Sequence, residues 1–499
     1  MKSPSVLLRL GPALLLLAAG CSDPFGVMRG APSSQSSPYR GYEDERPRIQ
    51  PRVVPQPDQG PLSLAQCVEV ALENSAEARL SWQGTRSAAA ALGQARGTLF
   101  PQLDFTATGQ RAKYQDVTNV QTEYMATTYN ASFGVRQLLF NAGASRARVS
   151  AAEAALRTAD FRHNATLLDL GLATEVYYYQ LLAAQSLLQV AEDTAKQRAK
   201  HLDLAQKRYE SGVGRWVDVL QAKAEKAGAE LGVVESRSQV RTSRGRLAAI
   251  MGWSAATPVE IIEIPEGVRE MERRDVDALM EEAAWNRPNL KGAASEVMRM
   301  RRELTAQRAA CWPEITGGAS YGWRDTHILI DEERNEWTLS VSAKWPLFTG
   351  FQRTYALQQG EIELAKAIDT YEKALRDVEL EVWIAYSTVI RAEEALNAAD
   401  VYVDAARENQ NVAERAYQEG RANIVELIDA QTGLTTALAR RVGVHLEWYT
   451  ALSQLERAVG KSLGLERGIM PVKAPEAGAQ EGQPPTDAGK DVPKGEPPK

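Results

Sequence analysis

Residues 209–223 read Y-E-S-G-V-G-R-W-V-D-V-L-Q-A-K, and residues 417–431 read Y-Q-E-G-R-A-N-I-V-E-L-I-D-A-Q. Tyr209 aligns with Tyr417, Gly212 with Gly420, Val217 with Val425, Asp218 with Glu426 and Ala222 with Ala430, each pair 208 positions apart. A repeat at fixed offset constrains the fold more than any local pattern, because both copies must build the same unit. The match extends outward. Leu139-Phe140 meets Leu347-Phe348 and Gly252 meets Gly460 at the same offset, while Asn74 meets Asn286 and Pro101 meets Pro313 at 212. The first copy therefore carries four extra residues (212 against 208) between Pro101 and Leu139. A length difference confined to one segment predicts a surface loop there. The period is too long for a solenoid, so a whole domain is doubled.

The 499 residues carry a formal net charge of −6, with both signs mixed and no basic patch. Nucleic acid is therefore not expected as a partner. The cysteines at 21, 67 and 311 form no C-x-x-C pair, and the histidines at 163, 201, 327 and 445 are scattered. No metal site and no cofactor are expected from such spacings. There is no P-loop, no G-x-S-x-G and no dinucleotide fingerprint, so the expectation is a protein that is not an enzyme. By the duplication Cys311 corresponds to Leu99, 32 residues beyond Cys67. At the helix rise that is about 48 Å along the axis. A disulfide between Cys67 and Cys311 is not expected, and both fit better as small apolar fillers.

Residues 1–20 have the form of an export signal. Lys2 and Arg9 are basic, Leu14 to Leu17 are apolar, and Ala18-Ala19-Gly20 are small before Cys21. The run is too short and too interrupted for a spanning helix. L-A-A-G-C resembles a bacterial lipobox, with Ala18 where Leu is usual, and predicts a lipidated Cys21. Ordinary secretory cleavage with Cys21 as a bystander is the alternative. Because Ser22, not Asp, follows the cysteine, such signals imply sorting to the outer membrane. Residues 21–61, rich in Pro, Ser, Gln and Arg, form an expected tether, and residues 471–499 an expected disordered tail.

No proline occurs between Gln102 and Thr257 or between Leu347 and Met470, and good helix formers dominate both spans. Residues 144–210 and their counterpart 352–418 each predict one helix of 67 residues, roughly 100 Å long. Ala154, Phe161, Leu168 and Leu182 fall on one seven-residue ladder and Ala165, Leu172 and Tyr179 on another, with Glu175 interrupting the first. Gly212 and Gly420 sit where a helix end needs positive φ. New helices then run back to Gly252 and Gly460, giving a long antiparallel hairpin twice. Flanking helices are expected over residues 64–99 and 276–310, ended by Pro101 and Pro313.

After those prolines the period becomes two. Tyr129, Ala131, Phe133 and Val135 alternate with polar residues, as do Trp337, Leu339, Val341, Ala343 and Trp345. Weaker partners precede them: Leu103, Phe105 and Ala107, then Ile315, Ala319, Tyr321 and Trp323. Each copy thus offers a β-hairpin, with polar loops expected at residues 116–123 and 325–336. A soluble sandwich would alternate too. Four strands, aromatics at Tyr129, Trp323, Trp337 and Trp345, and an export signal favour a transmembrane barrel. Four strands cannot close one, since an open edge in lipid leaves backbone groups unpaired. The chain is therefore expected to oligomerise.

The duplication, the helix–hairpin–helix–helix order, the Pro-ended helix, the Leu-Phe step and the Y-x-x-G…[DE]-x-x-[DQ]-A turn together resemble the TolC-like outer-membrane channel family. The likeness covers about residues 62–468 and, with the lipobox, points to its lipoprotein branch. It implies a mainly α fold with a small β part. Duplicated helical hairpins would form an α-barrel tunnel, and four strands per chain would join a shared barrel. The implied divisions are a first repeat at 62–260, a linker at 261–275 and a second repeat at 276–470. It implies a homotrimer, anchored in outer-membrane lipid and reaching into the periplasm. The implied task is passive export as the exit channel of a tripartite efflux pump, with a periplasmic adaptor and an inner-membrane transporter as partners. A type I secretion duct and a lipid-anchored periplasmic coiled-coil scaffold are the alternatives.

The same resemblance implies a gate where the second-copy turn carries two acidic residues three apart, Glu426 and Asp429. Residues at i and i+3 share a helix face, so both can point into a pore; solvated carboxylates in a helix first turn are the other reading. It implies that Tyr417 and Asp218 help hold the gate closed. The family's arginine position is Ala422, with Arg421 one residue earlier. Gly212, Gly214, Arg215, Gly420 and Arg421 lie in the tips implied to meet the adaptor.

Overall fold

The computed structural model describes residues 60–115, 123–262, 275–327 and 331–461. The export signal, Cys21, the tether up to residue 59, linker residues 263–274, loop residues 116–122 and the tail lie outside the described residues.

The first copy runs α1 (Leu64–Asn74), α2 (Ala76–Gly97), β1 (Gln102–Gln115), β2 (Glu123–Phe140), α3 (Ala144–Glu210) and α4 (Trp216–Ile250). The second repeats it as α5 (Val276–Asn286), α6 (Pro288–Ala309), β3 (Glu314–His327), β4 (Asp331–Lys344), α7 (Gln352–Gln418) and α8 (Ile424–Val459). The offset is 212 up to Gln115 and His327 and 208 from Glu123 and Asp331, so the extra length falls in residues 116–122.

The flanking helices expected as continuous are each broken once. Ser75 and Arg287 are extended, at φ −60° with ψ 136° and 118°. Ser75 accepts from the Glu77 N–H and caps α2. Arg287 precedes Pro288, whose ring disfavours a helical neighbour but suits the first helical position. Each break receives the glycine that ends its copy's return helix. A Cβ on Gly252 (φ 77°) would meet the Asn74 carbonyl oxygen at 2.9 Å, and one on Gly460 (φ 82°) the Arg287 nitrogen at 3.1 Å. Substitution there meets both a left-handed backbone and a filled space.

The long helices are continuous over 67 residues each. On α7, Val378, Val382, Ala385, Val389, Ala392, Leu396, Ala399, Val403, Ala406 and Gln410 are buried, in alternating steps of four and three. That 3.5-residue repeat is a coiled-coil seam, here against α8. On α3 the buried stripe is Ala147, Ala151, Ala154 and Thr158, then Leu170, Thr174, Tyr178 and Leu181. Of the two ladders expected, Ala154 and Tyr179 are buried, while Phe161, Leu168 and Leu182 of the first and Ala165 and Leu172 of the second lie beside this stripe, half-buried. The reason is that α3 packs on α2 and α6 as well as α4 and α8, so no single seam runs its length. Glu175, expected as an interruption, is buried.

The four strands form one antiparallel sheet in the order β1-β2-β3-β4. The register aligns Phe105, Phe133, Tyr321 and Trp337 across all four strands, and Leu103, Val135, Ala319 and Leu339 beside them. Directly paired residues share a face. That face is apolar and open: Leu103, Phe105, Phe133, Tyr321, Trp337 and Leu339 are all exposed. The opposite face carries Asp104, Thr106, Ser132, Arg136, Ser320 and Thr338. No second sheet covers the apolar side among the described residues, so this is not a sandwich. The loop expected at 325–336 is largely strand, with Asp325 facing Glu333 and Arg324 facing Arg334. A cross-strand ion pair, Arg324 to Glu336 at 3.0 Å, helps polar residues stay paired there.

Candidate functional site

Each long hairpin turns through the stretch repeated in the sequence, and the two turns pack side by side. In the first, Gly212 has φ 77°, and the N–H groups of Val213 and Gly214 both donate to the Arg208 carbonyl, at 3.0 and 2.8 Å. In the second, Gly420 has φ 75°, and Arg421 and Ala422 both donate to the Ala416 carbonyl, at 2.8 and 3.1 Å. The backbone is thus the same turn twice. Ala205, Val219, Ala222, Tyr417, Ile424 and Leu427 form the apolar cluster beneath, so α3, α4, α7 and α8 all contribute.

Glu426 and Asp429 are exposed on α8, beside the buried Leu427 and Ala430. Asn423 caps this helix: its Oδ1 accepts from the Glu426 N–H at 2.9 Å, and its Nδ2 donates to Glu426 Oε1 at 3.0 Å. Glu426 therefore has a fixed orientation at a helix N-terminus, where negative charge is favoured.

Asp218 occupies the position equivalent to Glu426, yet its carboxylate pairs with Arg215 on its own turn at 3.0 Å. Arg421 pairs with Glu419, also on its own turn. The structure does not bring Arg421 to Asp218 within one chain. Gly212, Gly214, Arg215, Gly420 and Arg421 all lie at or next to the turns, and of these Gly212, Arg215, Gly420 and Arg421 are exposed.

Tyr417 is 4% exposed. Burial pushes its hydroxyl pKa up, the nearby Asp218 carboxylate adds to the rise, and Arg208 opposes it. Arg208 is the residue that sequence reasoning missed. Its guanidinium lies over the Tyr417 ring at 4.8 Å and donates to the Tyr417 carbonyl. The available signal was an asymmetry, since the 208-residue offset puts Ala416 opposite Arg208.

Above the tips lies a polar layer that the sequence also concealed. Buried His201 contacts Gln431 through Nε2, and buried Arg198 donates to Thr432 Oγ1 at 3.0 Å and faces Glu225 at 3.7 Å. Burial pushes the His201 pKa down, and Glu414 partly offsets it while Arg198 and Lys200 add to the fall. Elsewhere, Cys67 is fully buried and its thiol pKa is pushed up to about 12 by burial. Among the described residues no helix is long and apolar enough to cross a membrane, and no acidic, His and Cys side chains cluster as a metal site.

The outer membrane efflux protein family model matches residues 67–253 and 279–461, once per repeat. Outer membrane protein TolC of Vibrio cholerae is 26% identical over 419 residues, covering 83% of this chain and 93% of the relative. Protein CyaE of Bordetella pertussis is 25% identical over 408 residues, covering 80% and 84%. Among solved structures, the outer-membrane channel OprN superposes with a TM-score of 0.71 at 19% identity, covering 80% of this chain and 89% of that one. The Campylobacter jejuni CmeC outer membrane channel gives 0.71 at 14% identity, covering 80% and 86%. The channel structures establish the likeness of fold, and the family model, matched across both repeats, establishes descent: this chain belongs to the outer membrane efflux protein family.

Proposed function

We propose that this chain is the outer-membrane exit channel of a tripartite efflux pump, a passive duct with no catalytic step. One observation carries this: a four-stranded sheet with an exposed apolar face and two unpaired outer strands, joined to helical hairpins whose tips converge. An exposed aromatic face of this size suits lipid, and unpaired edges in lipid require neighbouring strands. Three copies complete a twelve-stranded barrel, within the range that bacterial barrels occupy. The polar face then lines the lumen.

The tips carry the gate and the docking surface for a periplasmic adaptor, through Gly212, Gly214, Arg215, Gly420 and Arg421. An inner-membrane transporter supplies the energy. Glu426 and Asp429 from three chains form two rings of carboxylates that favour cations and resist joint ionisation. Tyr417 and Asp218 help hold the closed state. A lipid on Cys21 anchors the chain in the outer membrane. Relatives named for toluene efflux (TtgC of Pseudomonas putida) and for cobalt, zinc and cadmium resistance (CzcC of Cupriavidus metallidurans) share this family, so cargo choice belongs to the partner pump.

Native mass spectrometry of the detergent-extracted protein tests assembly and anchor together. The expected species is a trimer whose chains begin at a lipidated Cys21. A monomer in mild detergent refutes the shared barrel. An unmodified N-terminus elsewhere refutes the anchor and leaves the channel standing.

A further inference from the structure

We infer that Arg208 is a latch that ties the two hairpins of one chain together at the tip and keeps the resting channel shut. The inference rests on the gate proposed above and adds a positioning residue which that reading lacks. Arg208 lies in the last turn of α3, and its target is the last turn of α7. Two contacts converge on it. The guanidinium stacks 4.8 Å from the Tyr417 ring centre, and its Nη1 donates to the Tyr417 carbonyl. Its Nη2 lies 3.7 Å from the place a Cβ on Gly420 would occupy, so the second turn leaves open the space beside it. A planar guanidinium can lie over an aromatic face while its N–H groups donate to a carbonyl, a pre-organised fork that a lysine ammonium lacks. A cation is also favoured near helix C-terminal carbonyls.

The alternatives within the two turns are already committed. Asp218 pairs with Arg215 and Arg421 with Glu419, each inside its own turn. Among the described polar contacts of the two turns, the one from Arg208 crosses between hairpins. It also exists once per chain, because the equivalent position is Ala416. In a ring of alternating hairpins, each hairpin meets one neighbour in its own chain and one in the next. Arg208 secures the within-chain side, so outward movement of α7 and α8 from α3 must first strip the guanidinium from Tyr417.

Single-channel recording in planar bilayers tests this, with resting conductance and block by a trivalent cation read separately. Arg208→Ala is expected to raise resting conductance about tenfold, the change for losing one charge-assisted contact. Arg208→Met keeps the packed stem without the head group and should leak nearly as much. Arg208→Lys should fall between these and wild type. All three should keep the cation block. If Arg208→Ala does not assemble, Met and Lys decide, since both retain the stem. A wild-type resting conductance for Arg208→Met in an intact trimer overturns the latch. Should that occur while Glu426→Ala/Asp429→Ala loses the cation block, the latch fails and the gate stands. Should Arg208→Met leak while that double variant keeps the block, the latch stands and the carboxylate rings fail.

Discussion

The two turns share a backbone and differ in what they offer outward. The first presents Tyr209 and Trp216, their rings tilted at 51° with centroids 5.2 Å apart, and exposed Val213, Val217 and Leu220. The second presents Glu419, Arg421, Glu426 and Asp429, all exposed. The carboxylate of Asp218 is neutralised by Arg215, whereas Glu426 is aimed by Asn423 and no basic residue pairs with it among the described residues. Duplication thus preserved the turn through its left-handed glycine and let the side chains diverge. On the function proposed above, the acidic turn forms the constriction.

The largest expected effect tests the shared part. Gly212→Ala and Gly420→Ala should each destabilise their turn by about 1–2 kcal/mol, the cost of a left-handed residue with a Cβ. Neither site is crowded: nothing lies within 4 Å of the added carbon at Gly212, and the Arg208 head group alone at Gly420. The two costs should therefore agree. Hydrogen exchange of the tip amides measures them, and a clear inequality would break the equivalence of the turns.

The next effect separates the copies. Asn423→Ala should cost about 1 kcal/mol of α8 stability, because a capping side chain is lost. Arg215, its first-copy counterpart, makes no capping hydrogen bond and holds an ion pair with its side chain 74% exposed. Arg215→Ala should cost under about 0.5 kcal/mol. Equal losses in thermal denaturation would show that the acidic turn is no better fixed than the apolar one.

A smaller effect depends on pH. His201 is buried, while its counterpart Asn409 is exposed. Burial lowers the His201 pKa, so the unfolded or opened state binds a proton more readily than the packed one. The stabilisation is complete above the ordinary histidine range and is lost as pH falls through that range toward the depressed value. The groups facing it are Gln431 on α8, Glu414 on α7, and Arg198 and Lys200 on α3. Tip protection should fall as pH drops below the ordinary histidine value of about 6.5, and His201→Gln should flatten the profile. An unchanged slope in that variant would locate the titrating group elsewhere.

Much of the fold was legible because it was written twice. The turns at Gly212 and Gly420, the lengths of α3 and α7, and the alternating strands all follow from matched residues and period. The breaks at Ser75 and Arg287 were legible in part, since Pro288 and a capping serine mark them, but a helical composition hid them. The two ladders on α3 were legible only at Ala154 and Tyr179, because the neighbours of α3 change along its length and periodicity in one helix does not encode them. Strand continuation through Asp325 and Glu333 was missed because a run of polar residues in a strand resembles a loop. At the site, Glu426 and Asp429 were singled out through the family resemblance, their spacing placing them on one helix face. Arg208 and the His201–Gln431 contact were not, because each joins residues more than 200 positions apart and neither is repeated at the duplicate position.

On the proposed function the acidic turn, not the apolar one, forms the constriction. Single-channel current in planar bilayers tests this, comparing wild type with Glu426→Ala/Asp429→Ala and with Gln221→Ala, which alters the first-copy counterpart of Asp429. The wild-type channel should conduct poorly at rest, prefer cations and be blocked by multivalent cations from the periplasmic side. The second-copy double variant should lose most of that selectivity and block, Gln221→Ala should keep both, and replacing Tyr417 or Asp218 should instead raise the resting current. Full selectivity and block in Glu426→Ala/Asp429→Ala would place these carboxylates on a solvated outer face and contradict the account.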